Sequence, residues 1–154
     1  MTALAEFAIY NDDLQIVEQS GNDVEAVERL LAKWGNLDCL AMAAALEDMT
    51  GWPILALNEK TIMLMPPIHV CMQTPDGFLM DVYGVFLDKP GRIEMQRRYD
   101  IHDPVWRSLE PWEMPSYRAD HPDRIDEAVV ALKNEPWLKT ILERAGFQTK
   151  VRQH

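Results

Sequence analysis

At 154 residues, with a formal charge of −10 and a pI near 4.8, the chain is sized for one domain whose surface would repel most of a nucleic-acid backbone. A composition that is 47% hydrophobic and 26% charged excludes a disordered tail and predicts a packed core. Direct nucleic-acid binding is therefore disfavoured, although the same arithmetic lets an acidic protein occupy the nucleic-acid groove of another protein.

The opening run MTALAEFAIYNDD has no basic segment followed by a long apolar one, and no stretch of about 18 uncharged apolar residues occurs anywhere. Both features predict a cytoplasmic chain with no membrane span. Cys39 and Cys71 are the two cysteines, too few for a disulfide framework and expected to be reduced. One domain over residues 1–154 is expected, and nothing in the pattern fixes an oligomeric state.

Residues 1–21 show no clear period. Val24, Val27, Leu30, Leu31 and Trp34 then follow helical spacing, with Asn22 as N-cap, Asp23 and Glu25 in the first turn, and Gly35 as the stop. After Asn36-Leu37-Asp38, the run CLAMAAALEDM from Cys39 to Met49 is apolar almost all round, which predicts a central buried helix ended by Thr50-Gly51. Trp52-Pro53 turns the chain into a buried strand at Ile54 to Leu57, and a polar step at Asn58 to Thr61 leads to the apolar Ile62 to Met65.

A hairpin is predicted next: strand Ile68 to Gln73, turn Thr74-Pro75-Asp76-Gly77, and returning strand Phe78 to Phe86. Leu87 to Gly91 reads as another turn. Pro104, Pro111, Pro115 and Pro122 make residues 92–123 an ordered loop region, anchored by Trp106 and Trp112. Two short helices follow from Arg124, broken near Asn134 to Pro136 and ending at Gly146. The predicted fold is α+β, a buried helix on a small antiparallel sheet with flanking helices at both ends.

Nucleophilic cysteine chemistry needs a thiolate, and a helix N-terminus beside an imidazolium lowers a thiol pKa from about 8.5. Cys39 sits where the buried helix begins, with Asp38 or Asn36 as the cap and backbone N–H groups free to face an oxyanion. A histidine base must be held in one orientation by a second group. His69 and Asp81 meet that demand from the two arms of the hairpin, whose turn puts residue 69 opposite 82 or 83, so that Asp81 is a near-diagonal neighbour subject to register or a bulge. Asp81 lies between Met80 and Val82, so it faces inward and needs a partner.

Each residue alone has a plainer reading: Cys39 as a small buried hydrophobe, His69 as a satisfied core histidine, Asp81 as an outward strand residue. Trp34 and Trp52 bracket the Cys39 helix and would border a cleft, or else serve as core anchors. Cys71 shares a strand face with His69, and Cys39, His69 and Cys71 would supply three metal ligands, but their spacing matches no zinc motif. Neither a metal nor a cofactor is expected, and Cys71 reads as packed and inert. Arg92, Arg97 and Arg98 form a basic cluster read as pairing with Glu94 and Asp100, while His102, His121 and His154 read as solvated.

A cysteine at the start of a buried helix, then a histidine on one strand and an acid on the next, resembles the order in papain-like folds. That group includes NlpC/P60-type peptidases, transglutaminase-like proteins and arylamine N-acetyltransferases. The segments DCLAMAAALEDMTGWPILAL and HVCMQTPDGFLMDVYG are also similar to short uncharacterised proteins, some of them phage-associated, and the resemblance covers roughly residues 36–86. It implies a papain-like core, Cys39 as nucleophile, His69 as base and then acid, Asp81 orienting His69, and a protein or peptide substrate. Larger papain-like enzymes place a glutamine before the cysteine, whereas Leu31 to Asn36 contains none, leaving the Cys39 N–H, helped by Asn36, as oxyanion donor. The competing class is a non-enzymatic acidic interaction or inhibitor protein built on a degenerate scaffold of the same kind.

Overall fold

The computed structural model describes residues 23–61 and 66–147, except for the side chains of Asn36 and Leu37. Helix α1 spans Val24–Ala32 and buries Val27, Leu30 and Leu31. Its cap is Asp23, whose carboxylate accepts from the Glu25 N–H at 3.0 Å and the Ala26 N–H at 3.4 Å; Asn22, the expected cap, lies outside the described residues. Gly35 does not stop the helix. The chain continues through a π-helical turn, Lys33–Leu37, closed by the Asp38 N–H on the Lys33 carbonyl at 2.9 Å. At Gly35 the missing side chain serves close packing, because a Cβ there would lie 2.6 Å from Cε2 of Tyr83.

Helix α2, Cys39–Thr50, buries every residue from Ala41 to Leu46 and ends at Gly51, which takes the left-handed conformation at φ 73°. The small alanine side chains let it lie close to the sheet. Strands β1 (Ile54–Glu59), β2 (His69–Gln73), β3 (Leu79–Asp81), β4 (Gly84–Phe86) and β5 (Pro104–Ser108) form an antiparallel sheet in the order β4-β3-β2-β1-β5. The expected strand at Ile54 to Leu57 is longer because Asn58, though almost fully buried, is satisfied by Arg107 Nε at 2.7 Å and by the Pro66 carbonyl at 3.3 Å. Residues Ile62 to Met65 and 1–21, read above from sequence, lie outside the described residues.

The hairpin's returning arm, expected to be one strand, folds back on itself. Asp81 pairs with Gly84 across a two-residue turn at Val82-Tyr83, and Gly84 at φ 146° closes it. The turn is fastened by the Tyr83 N–H, which donates to Asp81 Oδ1 at 2.8 Å.

Both sheet faces are covered. Ala56, Val70, Met72, Met80 and Val85 pack on the side of α2 and the last two helices, whereas Leu57, Cys71, Leu79 and Phe86 form a second cluster with Met95 and Ile101. Met95 belongs to helix α3, Asp88–Tyr99, where turn and loop were expected. Residues 100–123 are likewise mostly regular: β5 is followed by α4 (Glu113–Asp120), and Pro122 opens α5 (Pro122–Asn134), with α6 (Pro136–Arg144) after it. The prolines permit this because Pro90, Pro115, Pro122 and Pro136 all fall in a first helical turn, whose N–H groups have no intrahelical acceptor, and Pro104 opens an edge strand.

Trp106 is half-buried with its ring 6.4 Å from that of Phe86, but Trp112 is 66% exposed and anchors nothing. The Arg107–Glu113 pair at 2.7 Å ties this region down instead, together with Arg118 on Glu47 and Asp48, both at 2.9 Å. The result is the expected α+β fold, a small antiparallel sheet packed with helices. Among the described residues no helix is long and apolar enough to cross a membrane.

Replacing Gly35 with Ala tests the close approach. Tyr83 is buried and held on its other side by the Arg98 guanidinium, 3.7 Å from its ring centroid, so it has little room to retreat. Overpacking of about 1–3 kcal/mol outweighs the gain of up to about 1 kcal/mol from removing a helical glycine. Gly35→Ala is therefore expected to lower the urea midpoint, and an unchanged or higher midpoint would show that Tyr83 can move aside.

Candidate active site

Cys39 is the first residue of α2 and is half-buried. Asp38, the expected cap, makes no side-chain bond to the helix; its carboxylate is drawn to Lys33 Nζ and Arg124 Nη1, each at 3.3 Å. Two cations compete better for a carboxylate than neutral N–H groups do. The first turn of α2 therefore starts without a side-chain cap, with Cys39 as its first residue. The Asn36 side chain, the other expected donor, lies outside the described residues.

His69 opens β2 directly opposite Leu57 of β1, on the sheet face covered by α3, and is 1% exposed. Its Nε2 lies 2.8 Å from Asp81 Oδ2. The ladder between β2 and β3 consists of Met72 with Met80 and Gln73 with Leu79, so His69 stands beyond the paired residues. Asp81 reaches it because it is the last residue of β3, at the point where the chain turns. The reach thus depends on the Val82-Tyr83 turn, not on a diagonal place in a continuous ladder.

The other ring nitrogen, Nδ1, lies 3.2 Å from the hydroxyl of Tyr99, the last residue of α3, whose oxygen is also 3.4 Å from the Gly35 carbonyl. The two rings lie tilted against each other, 5.6 Å between centroids and 31° between planes, and Tyr83 meets His69 edge-on at 6.4 Å. Cys39 lines the same small space as the imidazole and interacts with it electrostatically. With Nε2 committed to Asp81, Nδ1 is the nitrogen left for Cys39 and Tyr99.

Burial pulls the His69 pKa down, but the hydrogen bonds with Asp81 and Cys39, reinforced by their charges, outweigh it and raise the pKa to about 9. The imidazole is thus held as a cation through neutral pH. Burial pushes the Cys71 thiol well up, with Asp81 and Asp88 adding to it, so Cys71 stays a neutral thiol. Tyr99 is also pushed above the usual phenol range, by burial first, and stays protonated.

No protein-family model matches the chain, and no curated protein or solved structure does either. The chemistry of the site therefore rests on its own atoms. Trp34 is buried and, with Cys39, His69 and Asp81, lines a small space of about 10 Å³, the volume of a single water at most. Trp52 follows the far end of α2, roughly 18 Å from Cys39 by helical rise, where it packs edge-on to Phe147 at 5.9 Å and borders no cleft at the cysteine. Cys71 is fully buried in the second cluster, and among the described residues no group of three His, Cys, Asp or Glu side chains is placed to hold a metal.

The basic cluster pairs along its own helix: Arg97 and Arg98 with Glu94 at 2.6 and 3.5 Å, and Arg92 with Asp88 at 3.1 Å. Asp100 instead ends α3 in the left-handed conformation at φ 54°. His102 donates its N–H to Glu59 at 2.9 Å and His121 rests its ring on Tyr117 at 4.7 Å, while His154 is outside the described residues. Tyr99 was not legible from sequence because α3 was not.

The His69–Asp81 pair has a pH signature. The folded-state pKa of about 9 lies above the unfolded value of 6.5, so its contribution to stability is complete below pH 6.5 and is lost as pH rises through 9. Wild-type protein is expected to lose urea stability across that window, while Asp81→Asn, which removes the carboxylate charge, flattens the loss. Parallel curves for the two proteins would mean that Asp81 does not set the charge on His69.

Proposed function

We propose that the protein is a cysteine hydrolase-like enzyme acting on an amide or peptide-type carbonyl through Cys39, His69 and Asp81. The observation that supports this most is the position of His69, bonded to Asp81 at 2.8 Å and lining one small space with Cys39, which stands at a helix N-terminus that no side chain caps. The resemblance to papain-like folds agrees with it in the order of residues and elements.

In this reading the Cys39 thiolate attacks the carbonyl carbon, and the carbonyl π electrons move to oxygen. First-turn N–H groups of α2 stabilise that oxyanion. As the tetrahedral intermediate collapses, the C–N bond breaks and His69 Nδ1–H gives its proton to the departing amine, leaving a Cys39 thioester. Neutral His69 then takes a proton from water as its oxygen attacks the thioester carbon, and acid and thiolate are released. An amine or alcohol in place of water would make the same steps an acyl transfer. Peptidase, amidase, deamidase and acyl transferase share this sequence. Two free cysteines fit a reducing compartment, and we assign the protein to the cytoplasm with a protein or peptide substrate.

The charge of −10 and the mere 10 Å³ of space beside the triad favour a second reading, an acidic interaction or inhibitor protein of the kind a phage would encode, in which the scaffold is catalytically silent.

Alkylation separates the two. Iodoacetamide at pH 6.5 is expected to modify Cys39 at least about tenfold faster than Cys71, with His69→Ala removing most of the difference. Equal, slow labelling of both cysteines, or a Cys39→Ala variant that retains the protein's full biological effect, would sink the enzymatic reading.

A further inference from the structure

The imidazolium of His69 has two N–H groups to satisfy in a site that is 1% exposed. Nε2–H donates to Asp81 Oδ2 at 2.8 Å. Nδ1–H has the Tyr99 oxygen at 3.2 Å, with Cys39 lining the same small space as the ring, and the Tyr99 O–H in turn reaches the Gly35 carbonyl at 3.4 Å. When Cys39 is engaged with a carbonyl, the direction of bonding is therefore complete without it: Nδ1–H to the phenol oxygen, and phenol O–H to the Gly35 oxygen. Once Nδ1 has given up its proton it becomes an acceptor, and the same O–H can turn from Gly35 to donate to it. A hydroxyl is the group that serves both states, since it donates and accepts. A carboxylate or a cation there would favour only one.

We propose that Tyr99 is a positioning residue that follows the proton on His69 Nδ1, accepting a hydrogen bond from the imidazolium and donating one to the neutral ring, so that the imidazole keeps its orientation through both half-reactions. This rests on the thiol-acyl reading of Cys39 and His69. Tyr99 carries the duty across the fold: it ends α3, sets its ring 5.6 Å from that of His69, and bonds to the π-helical turn that leads into Cys39. Charged and titratable groups around it include His69, Tyr83, Arg98, Asp81 and Cys39.

Tyr99→Phe keeps the ring beside His69 and removes only the hydroxyl. In protein with ¹⁵N-labelled histidine, the His69 Nδ1 resonance is expected to move, and the pH profile of Cys39 alkylation to shift so that the rate at pH 6.5 falls on the order of tenfold, as for loss of one hydrogen bond to a charged group. Far-UV circular dichroism and the labelling rate of Cys71 are expected to stay at wild-type values. Replacement of the tyrosines by 3-fluorotyrosine, which makes the phenol more acidic with little change in shape, should move the same resonance even if the Phe variant folds poorly. An unmoved Nδ1 resonance in both proteins overturns the proposal, and so does a moved resonance with an unchanged alkylation profile. If wild-type Cys39 is no faster than Cys71, the thiol-acyl reading fails, and the Nδ1 resonance alone decides whether Tyr99 holds the ring.

Discussion

A carboxylate and an imidazole that are 5% and 1% exposed share one hydrogen bond, and much of the surrounding architecture serves to keep it satisfied. Taking both groups out of water is costly, and their mutual attraction offsets that cost only when the remaining donors and acceptors also find partners. Asp81 therefore needs more than His69. Its second oxygen takes the Tyr83 N–H at 2.8 Å, which forms the turn into β4, so the bend in the sheet and the satisfaction of the carboxylate are one event. The Tyr83 ring, placed by that turn, fills the gap that Gly35 leaves and lies beneath Arg98.

The sheet's two covers meet at this pair. On one side the alanine run of α2 permits a close approach that brings the helix start beside the first residue of β2. On the other, α3 delivers its last residue to the same imidazole. His69 is thus held from both layers, and neither layer alone defines its surroundings. The electrostatic result is an imidazole that stays protonated where burial by itself would discharge it.

Much of this was readable from local pattern. The break Asn36-Leu37-Asp38 before an apolar run located the start of α2, and the Thr74 to Gly77 turn placed His69 and Asp81 on neighbouring arms, because both signals depend only on nearby residues. The failures have equally specific causes. Val82-Tyr83 consists of residue types that favour strands, so the turn it makes is imposed by the Asp81 carboxylate and by Gly84. Helix α3 has no strong apolar stripe and carries Pro90, so it read as turn and loop, although a proline in a first turn is harmless. The partners of Asp38 include Arg124, 86 residues away, a contact that no local rule reaches.

The π-helical turn and the end of α3 are joined by the Tyr99–Gly35 contact across 64 residues of chain. A nascent or partly unfolded chain that has formed α2 and the hairpin still lacks this tie, and its cysteine faces an imidazole that nothing from α3 restrains. The surroundings of His69 are therefore complete only when the whole fold is, so that a chain caught midway through synthesis, refolding or degradation lacks the arrangement on which the proposed chemistry depends.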